Sequence, residues 1–314
     1  MNSRRRINST VGLLSGPPMT LFKYIRPERI DVIENLEIRF TQPDALNDPF
    51  ELHPHFESIV AEADVLANLP QSPVDLRPMV AQAYEMLSET HRAMLPLDAA
   101  MQAVEAFMAT DDSRDATAQG LQILLRSMQD EAAPIRQAIY RAFNDNVGIL
   151  SLSEIPDNEL MWAHYADSHT GLVLAFDEQH GFFNRRRSEN DEFYFVRRVV
   201  YSDRPAVSMA TLDGDALLVT KGTKWAYERE WRMIVPLKDA TRSVPMGGDT
   251  VLLFTFPPDA LKGIILGAHA PISIATSLQN LLSDRPALRH VHLSRAMLDL
   301  DTRSVKVLWP GAGE

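Results

Sequence analysis

Val147-Gly148-Ile149-Leu150-Ser151-Leu152 marks the place where the chain changes character. Before it, from about 56 to 143, the sequence is rich in Ala, Met, Leu, Gln and Glu. Apolar residues recur there at helical spacing. They do so at Met79, Val80, Ala83, Tyr84 and Leu87, and again at Met101, Val104, Phe107 and Met108. Leu121, Leu124, Leu125 and Met128 repeat the pattern, as do Ile135, Ile139 and Phe143. Three to five helices are expected, with the methionines filling a core.

From Val147 onward short apolar runs read as strands. They are Val147–Leu152, Gly171–Phe176, Phe193–Tyr201, Glu230–Val235, Val251–Phe256, Leu261–Leu266, Arg289–Leu293 and Val305–Leu308. Leu160–Tyr165 reads as a short helix or a tight loop, 213–222 as a short helix, and Ile272–Leu282 as a helix. Near the start, Leu21–Tyr24 and Glu37–Phe40 read as strands. Between them Arg26-Pro27-Glu28 opens a helix, since Pro is favoured at the first helical position. Asn47-Asp48-Pro49 is a turn. Short strands with intervening helices predict an α+β protein, a mixed and mainly antiparallel sheet with a mostly helical segment in the first half. The expected division is a flexible leader over 1–18, a mixed core from 19–55 and 144–310, and a helical insertion over 56–143.

The 314 residues suffice for one large domain or a core with an insertion. With 31 Lys and Arg against 42 Asp and Glu, the net charge of -11 makes broad nucleic-acid binding a poor expectation. Arg4–Arg6, Arg185–Arg187 and Arg197-Arg198 are local basic clusters, read as solvated surface. The absence of Cys removes disulfides, thiolate nucleophiles and cysteine-held metals. No apolar run reaches the roughly 18 residues of a membrane span. The stretch after Arg4–Arg6 is broken by Gly16, Pro17 and Pro18, unlike a signal peptide. A cytoplasmic protein without a membrane partner is expected. Phosphate-loop, dinucleotide-fingerprint, nucleophile-elbow and His-Glu-x-x-His motifs are missing.

Three polar clusters remain as candidate chemistry. The first joins Lys23-Tyr24 to Asn47-Asp48-Pro49-Phe50-Glu51, whose acidic residues either order a loop or touch a ligand. The second is Leu160-Met161-Trp162-Ala163-His164-Tyr165-Ala166-Asp167-Ser168-His169-Thr170-Gly171. Trp162 and Tyr165 can stack on a planar ligand, and His164 and His169 can donate, accept or carry charge near neutral pH. No metal ligand set is expected there. The third is Lys224-Trp225-Ala226-Tyr227-Glu228-Arg229-Glu230-Trp231-Arg232. On a strand, Glu228, Glu230 and Arg232 share one face. The carboxylates then form either an acid/base pair, one raised in pKa by the other, or structural ion pairs with the basic residues beside them.

The order of these clusters resembles the bacterial domain-of-unknown-function family 2971 over roughly residues 20–270. The matching pieces are Leu21–Tyr24, Asn47–Glu51, Ser151-Leu152-Ser153, Leu160–Ala166, His169–Gly171, Val200-Tyr201 and Trp225–Arg232. That resemblance implies a shared fold. A weaker resemblance is to ADP-ribosyltransferase-like folds. These place a polar residue on an early strand, aromatic or hydroxyl groups mid-sheet and a glutamate on a later strand. Lys23 or Tyr24, then His164 and Tyr165, then Glu230 with Glu228 stand at those positions, although several such families carry Arg or His at the first.

The resemblance implies a nucleotide-directed transferase or glycohydrolase with NAD as candidate substrate. Glu230 stabilises the transition state and Glu228 assists the nucleophile. Arg232 holds phosphate or the glutamates, and His164 and Tyr165 position the ligand. Lys23, Tyr24, Asn47, Asp48, Trp162, His169 and Tyr227 complete the expected binding residues. The alternative is a non-catalytic ligand-sensing or protein-binding module in a bacterial stress or phage response, with the helical segment docking a protein partner.

Overall fold

The computed structural model describes residues 19–53, 77–110, 119–120, 122–123, 126–127, 129–188, 191–203, 214–246 and 249–308. The expected leader and the 121–128 repeat lie outside them, wholly or for the most part. Two compact units divide the chain, one from 1–52, 141–203 and 215–314, the other from 53–140 and 204–214, each taken over its described residues.

The first unit is built on thirteen strands among the described residues. In chain order they are β1 (Thr20–Ile25), β2 (Glu37–Arg39), β3 (Val147–Ser153), β4 (Leu172–Asp177), β5 (Val196–Arg198) and β6 (Val200–Tyr201). There follow β7 (Thr220–Lys221), β8 (Glu230–Pro236), β9 (Arg242–Met246), β10 (Asp249–Thr255), β11 (Leu261–Leu266), β12 (His292–Asp299) and β13 (Ser304–Val307). Eight form one sheet in the order β13-β12-β11-β4-β1-β3-β8-β5. Every pair in it is antiparallel except β11 with β12. A parallel pair needs a crossover, and the helix Ile272–Asp284 supplies it. Smaller sheets are β2-β10-β9 and the parallel β6-β7.

Both faces of the large sheet are covered, which is why its strands read as continuous apolar runs. On one face Leu21, Leu150, Leu152, Leu174, Trp231 and Met233 pack with Val32, Ile33 and Leu278. On the other, Phe22, Tyr24, Val173, Ala175 and Ile265 pack under Met161, Trp162 and Ala166. The last three belong to or follow the helix Glu159–Tyr165, whose N-terminus is capped by Asn158 accepting from Met161 N–H at 3.0 Å. A helix therefore stands where the sequence leaves helix and loop open.

Two strand expectations change. Phe193–Tyr201 is broken into β5 and β6, and Arg289–Leu293 begins too early, since β12 runs from His292 to Asp299. The helical reading of the first half holds. Helices run over Arg77–Glu85, Glu89–Met94, Leu97–Met108 and Ala132–Asn146. The core-filling role of the methionines is met only in part among the described residues, where Met101 and Met108 are half-buried. Met79 is 64% exposed, and Arg77–Glu85 buries no residue. Periodicity identifies the helix, whereas full burial needs more cover than the contact with the helix Leu97–Met108 supplies.

Candidate functional site at the split of the sheet

β1 and β3 are neighbours that barely pair. Phe22 faces Ser153, and no further residue of the two strands is in register. At the other end of β3, Ile149 exchanges both backbone bonds with Thr41, at 2.8 and 2.9 Å. The sheet is thus split between Ser153 and Ile149, and Lys23 reaches across with its ammonium donating to the Ser151 carbonyl at 2.9 Å. A cavity of about 450 Å³ occupies the split. It is lined by Phe22–Arg26 and Ser151 from the two strands, by Arg39 and Thr41, and by Asn47, Glu51, Tyr165, Lys221, Glu228 and Glu230. Its size is ordinary for a small-molecule site.

A buried charge cluster forms one wall. β8 alternates, so Trp231, Met233 and Val235 enter one core while Glu230 and Arg232 point the other way. Glu228 arrives by a different route from the one the alternation predicts. It ends the 3-10 segment Thr223–Glu228, and Arg229 then takes a left-handed φ of 43°. The Ser153 hydroxyl donates to the Glu228 carbonyl at 2.7 Å and fixes that turn. The Glu230 N–H donates to the Tyr201 hydroxyl at 2.8 Å.

Lys221, at the end of β7, lies 2.6 Å from Glu228, 2.9 Å from Glu230 and 3.7 Å from Glu51. Arg232 is fully buried and grips both oxygens of Glu230, through Nε at 2.9 Å and a terminal nitrogen at 3.0 Å. It also pairs with Glu51 and donates to the Leu218 carbonyl at 2.9 Å. Glu51 is set by the turn before it, where Asp48 accepts from the Phe50 N–H at 3.1 Å. Tyr165 donates to Glu228 Oε1 at 2.6 Å, and Asn47 bonds to Tyr165 in turn.

The electrostatics follow from burial and contact. Burial disfavours the charge on Lys221, but the carboxylates of Glu230 and Glu228 outweigh it and hold the ammonium above its ordinary range. Burial pushes the Glu230 carboxyl up and Lys221 opposes this, while Arg232 donates to both of its oxygens. Burial lowers Arg232 to about 9, which leaves it charged at neutral pH. Tyr165 is driven upward by burial and by Glu228, so it stays a hydrogen-bond donor. Lys23 falls to about 8, chiefly through burial. Its side chain is half-buried and lines the cavity.

Of the residues singled out in the sequence, Glu228, Glu230, Arg232 and Tyr165 meet in this cluster. Lys23, Tyr24 and Asn47 line the same cavity. Asp48 is buried behind the cluster, where its charge acts on Arg232. His164, Trp162, His169 and Tyr227 are not among the lining residues. Trp162 is fully buried, with its indole donating to the Pro156 carbonyl at 2.8 Å. His164 is exposed, and His169 stacks on Trp162. Glu51 and Lys221 complete the cluster without having been expected as site residues. Lys221 has no motif around it, and Glu51 is visible only as the end of the Asn47–Glu51 turn. Ser151 bonds to Glu230 as well as to Lys23.

Among the described residues, no group of three or more His, Asp or Glu is arranged to hold a metal ion. No helix of the described residues is long and apolar enough to cross a membrane. Residues 161–233, which carry Tyr165, Lys221, Glu228, Glu230 and Arg232, match the family described as "Protein of unknown function (DUF2971)". Neither the curated proteins nor the solved structures yield a match.

Proposed function

We propose that the cavity is a nucleotide site and that its carboxylates serve a transferase or glycohydrolase of ADP-ribosyltransferase type, with NAD as the donor. The observation that carries this reading is the fixed carboxylate pair, Glu228 and Glu230, in the cavity wall. In contact with one another stand three carboxylates (Glu51, Glu228 and Glu230) and two cations (Lys221 and Arg232). Glu228 and Glu230 are buried and held in place where they reach the cavity. Fixed carboxylates favour a ligand that develops positive charge beside them. Breaking the bond between ribose C1 and the nicotinamide nitrogen does this. The electron pair leaves with nicotinamide, and the pyridinium charge passes to the ribose.

The hydrogen bonds favour Glu228 over Glu230 for contact with that ribose. Glu230 already accepts twice from Arg232, once from Lys221 and once from Ser151. Glu228 accepts once at each oxygen, from Tyr165 and from Lys221. A carboxylate has about four acceptor positions, so Glu228 keeps two for a ribose hydroxyl or for the proton of an attacking acceptor. Arg232 has no exposure and acts through the glutamates. Arg26, Arg29 and Arg39 also border the cavity. Arg26 follows β1, whose run from Phe22 to Ile25 covers about 10 Å. Phosphates would lie toward that end.

A ligand-sensing role is the second reading. It is favoured by the same ion pairs, since two cations already hold both glutamates. Incubation with NAD, followed by mass spectrometry of free nicotinamide and of ADP-ribosyl additions, separates the two. The enzyme reading expects nicotinamide release by wild type and its loss in Glu228→Gln, with the fold intact by circular dichroism. Binding of NAD without release, with and without lysate as a source of acceptors, would leave the sensing role.

A further inference from the structure

The cavity holds two lysines with opposite surroundings. Lys221 touches three carboxylates, which bind its third proton firmly. Lys23 touches none of them within ion-pair distance. Its partner is a backbone carbonyl, that of Ser151. That difference decides what each amine can do. A carboxylate partner demands an ammonium. A carbonyl accepts an N–H from an ammonium or, more weakly, from a neutral amine, so the bond to Ser151 does not require the charge. In the neutral form the N–H that points at Ser151 directs the lone pair elsewhere, and the side chain lines the cavity.

The neighbours act in the same direction. Arg39 and Lys221 both disfavour a charge on Lys23, and burial disfavours it more, while Glu230 and Glu228 restrain the effect. An enclosed lysine beside other cations is how an amine becomes a nucleophile.

We propose that Lys23 is a nucleophilic amine that condenses with the carbonyl carbon of a small aldehyde entering the cavity. The lone pair of Nζ attacks the carbonyl carbon, and the C=O π pair moves to oxygen. A proton passes from nitrogen to that oxygen through solvent. Water then leaves as the C=N bond forms, so amine and aldehyde give imine and water with no oxidant or reductant. Protonation of the imine restores a cation where the ammonium stood, facing the charge of Glu228 and Glu230. Aldehydes with an anionic group suit the cavity best, because Arg26, Arg29 and Arg39 also border it. This role needs the cavity alone and no turnover of NAD.

The test is labelling of the intact protein by pyridoxal 5′-phosphate, reduction with borohydride and peptide mapping. At neutral pH Lys23 should label at least about tenfold faster than Lys262 or Lys306, since a group near 8 has far more free amine there than an ordinary lysine. The rate should rise with a midpoint near pH 8. Lys23→Arg, which keeps a donor for Ser151, should abolish labelling at this peptide and leave the folded spectrum unchanged. Labelling of Lys23 no faster than that of Lys262 and Lys306 in folded wild type would overturn the assignment. So would a rate at Lys23 that follows an ordinary lysine's pH profile.

Discussion

Lys221 and Arg232 are buried cations whose removal would leave carboxylates stranded. Breaking one side of a buried pair costs about 3–5 kcal/mol. Arg232→Met should therefore destabilise by about that amount in urea unfolding, because Glu230 and Glu51 lose one of the two cations they share. Arg232→Lys should recover only part of the loss, since a lysine cannot make the two-point grip on Glu230. Tyr165→Phe removes one bond to a charged acceptor and should cost about 2 kcal/mol. Lys23 gives a pH dependence of the opposite sign to a salt bridge. Its folded pKa of about 8 lies below the ordinary lysine value of 10.5, so the folded state releases its proton first. Between these values the unfolded chain binds more protons, and stability rises with pH. Wild type should gain on Lys23→Met as pH is raised from about 8 to 10.5, as measured by thermal unfolding.

At the scale of elements, spacing explains both what the sequence discloses and what it hides. On the helix Glu159–Tyr165, positions three and four apart share a face and positions two apart do not. Tyr165 is aligned with both Met161 and Trp162 toward the sheet, whereas His164, three from Met161 but two from Trp162, sits at the edge of that face and is exposed. The density of polar and aromatic residues there signals a wall, but only the helical register says which of them face it. Glu230 and Arg232 are legible from strand alternation. Glu228 reaches the same cluster through a left-handed residue at Arg229, which alternation cannot anticipate. Lys221 is invisible in the sequence because β7 is two residues long.

The loop after the helix is as constrained as the strands. Asp167, Ser168 and His169 all have positive φ, at 45°, 52° and 69°. A Cβ at Gly267 would come within 2.0 Å of the His169 carbonyl oxygen, and one at Gly171 within 2.3 Å of that of Ile25. Both obstacles are backbone, so Gly267→Ala should cost about 3 kcal/mol, readable as a lowered urea midpoint.

On the scale of the whole chain, the sheet was legible because both faces are covered and its strands are apolar throughout. The split was not, since the loss of pairing between β1 and β3 depends on Thr41 taking the place beside Ile149, a contact made across 108 positions of sequence. We propose that the helical segment 56–143 is an insertion. Rings at its borders support this, because His53 stacks on Tyr140 with centroids 3.7 Å apart. The ends of the segment are thus already together. Replacing 56–138 by a short Gly/Ser linker should leave a core with cooperative unfolding, and a non-cooperative melt would contradict the insertion.

The claim that joins these scales is that the split of the sheet holds the ligand. Diffraction from crystals soaked with NAD tests it most directly. The account predicts difference density between β1 and β3, with a ribose against Glu228 and the diphosphate toward Arg26. Density bound elsewhere, or an empty cavity at saturating NAD in a lattice that leaves it open, would contradict it.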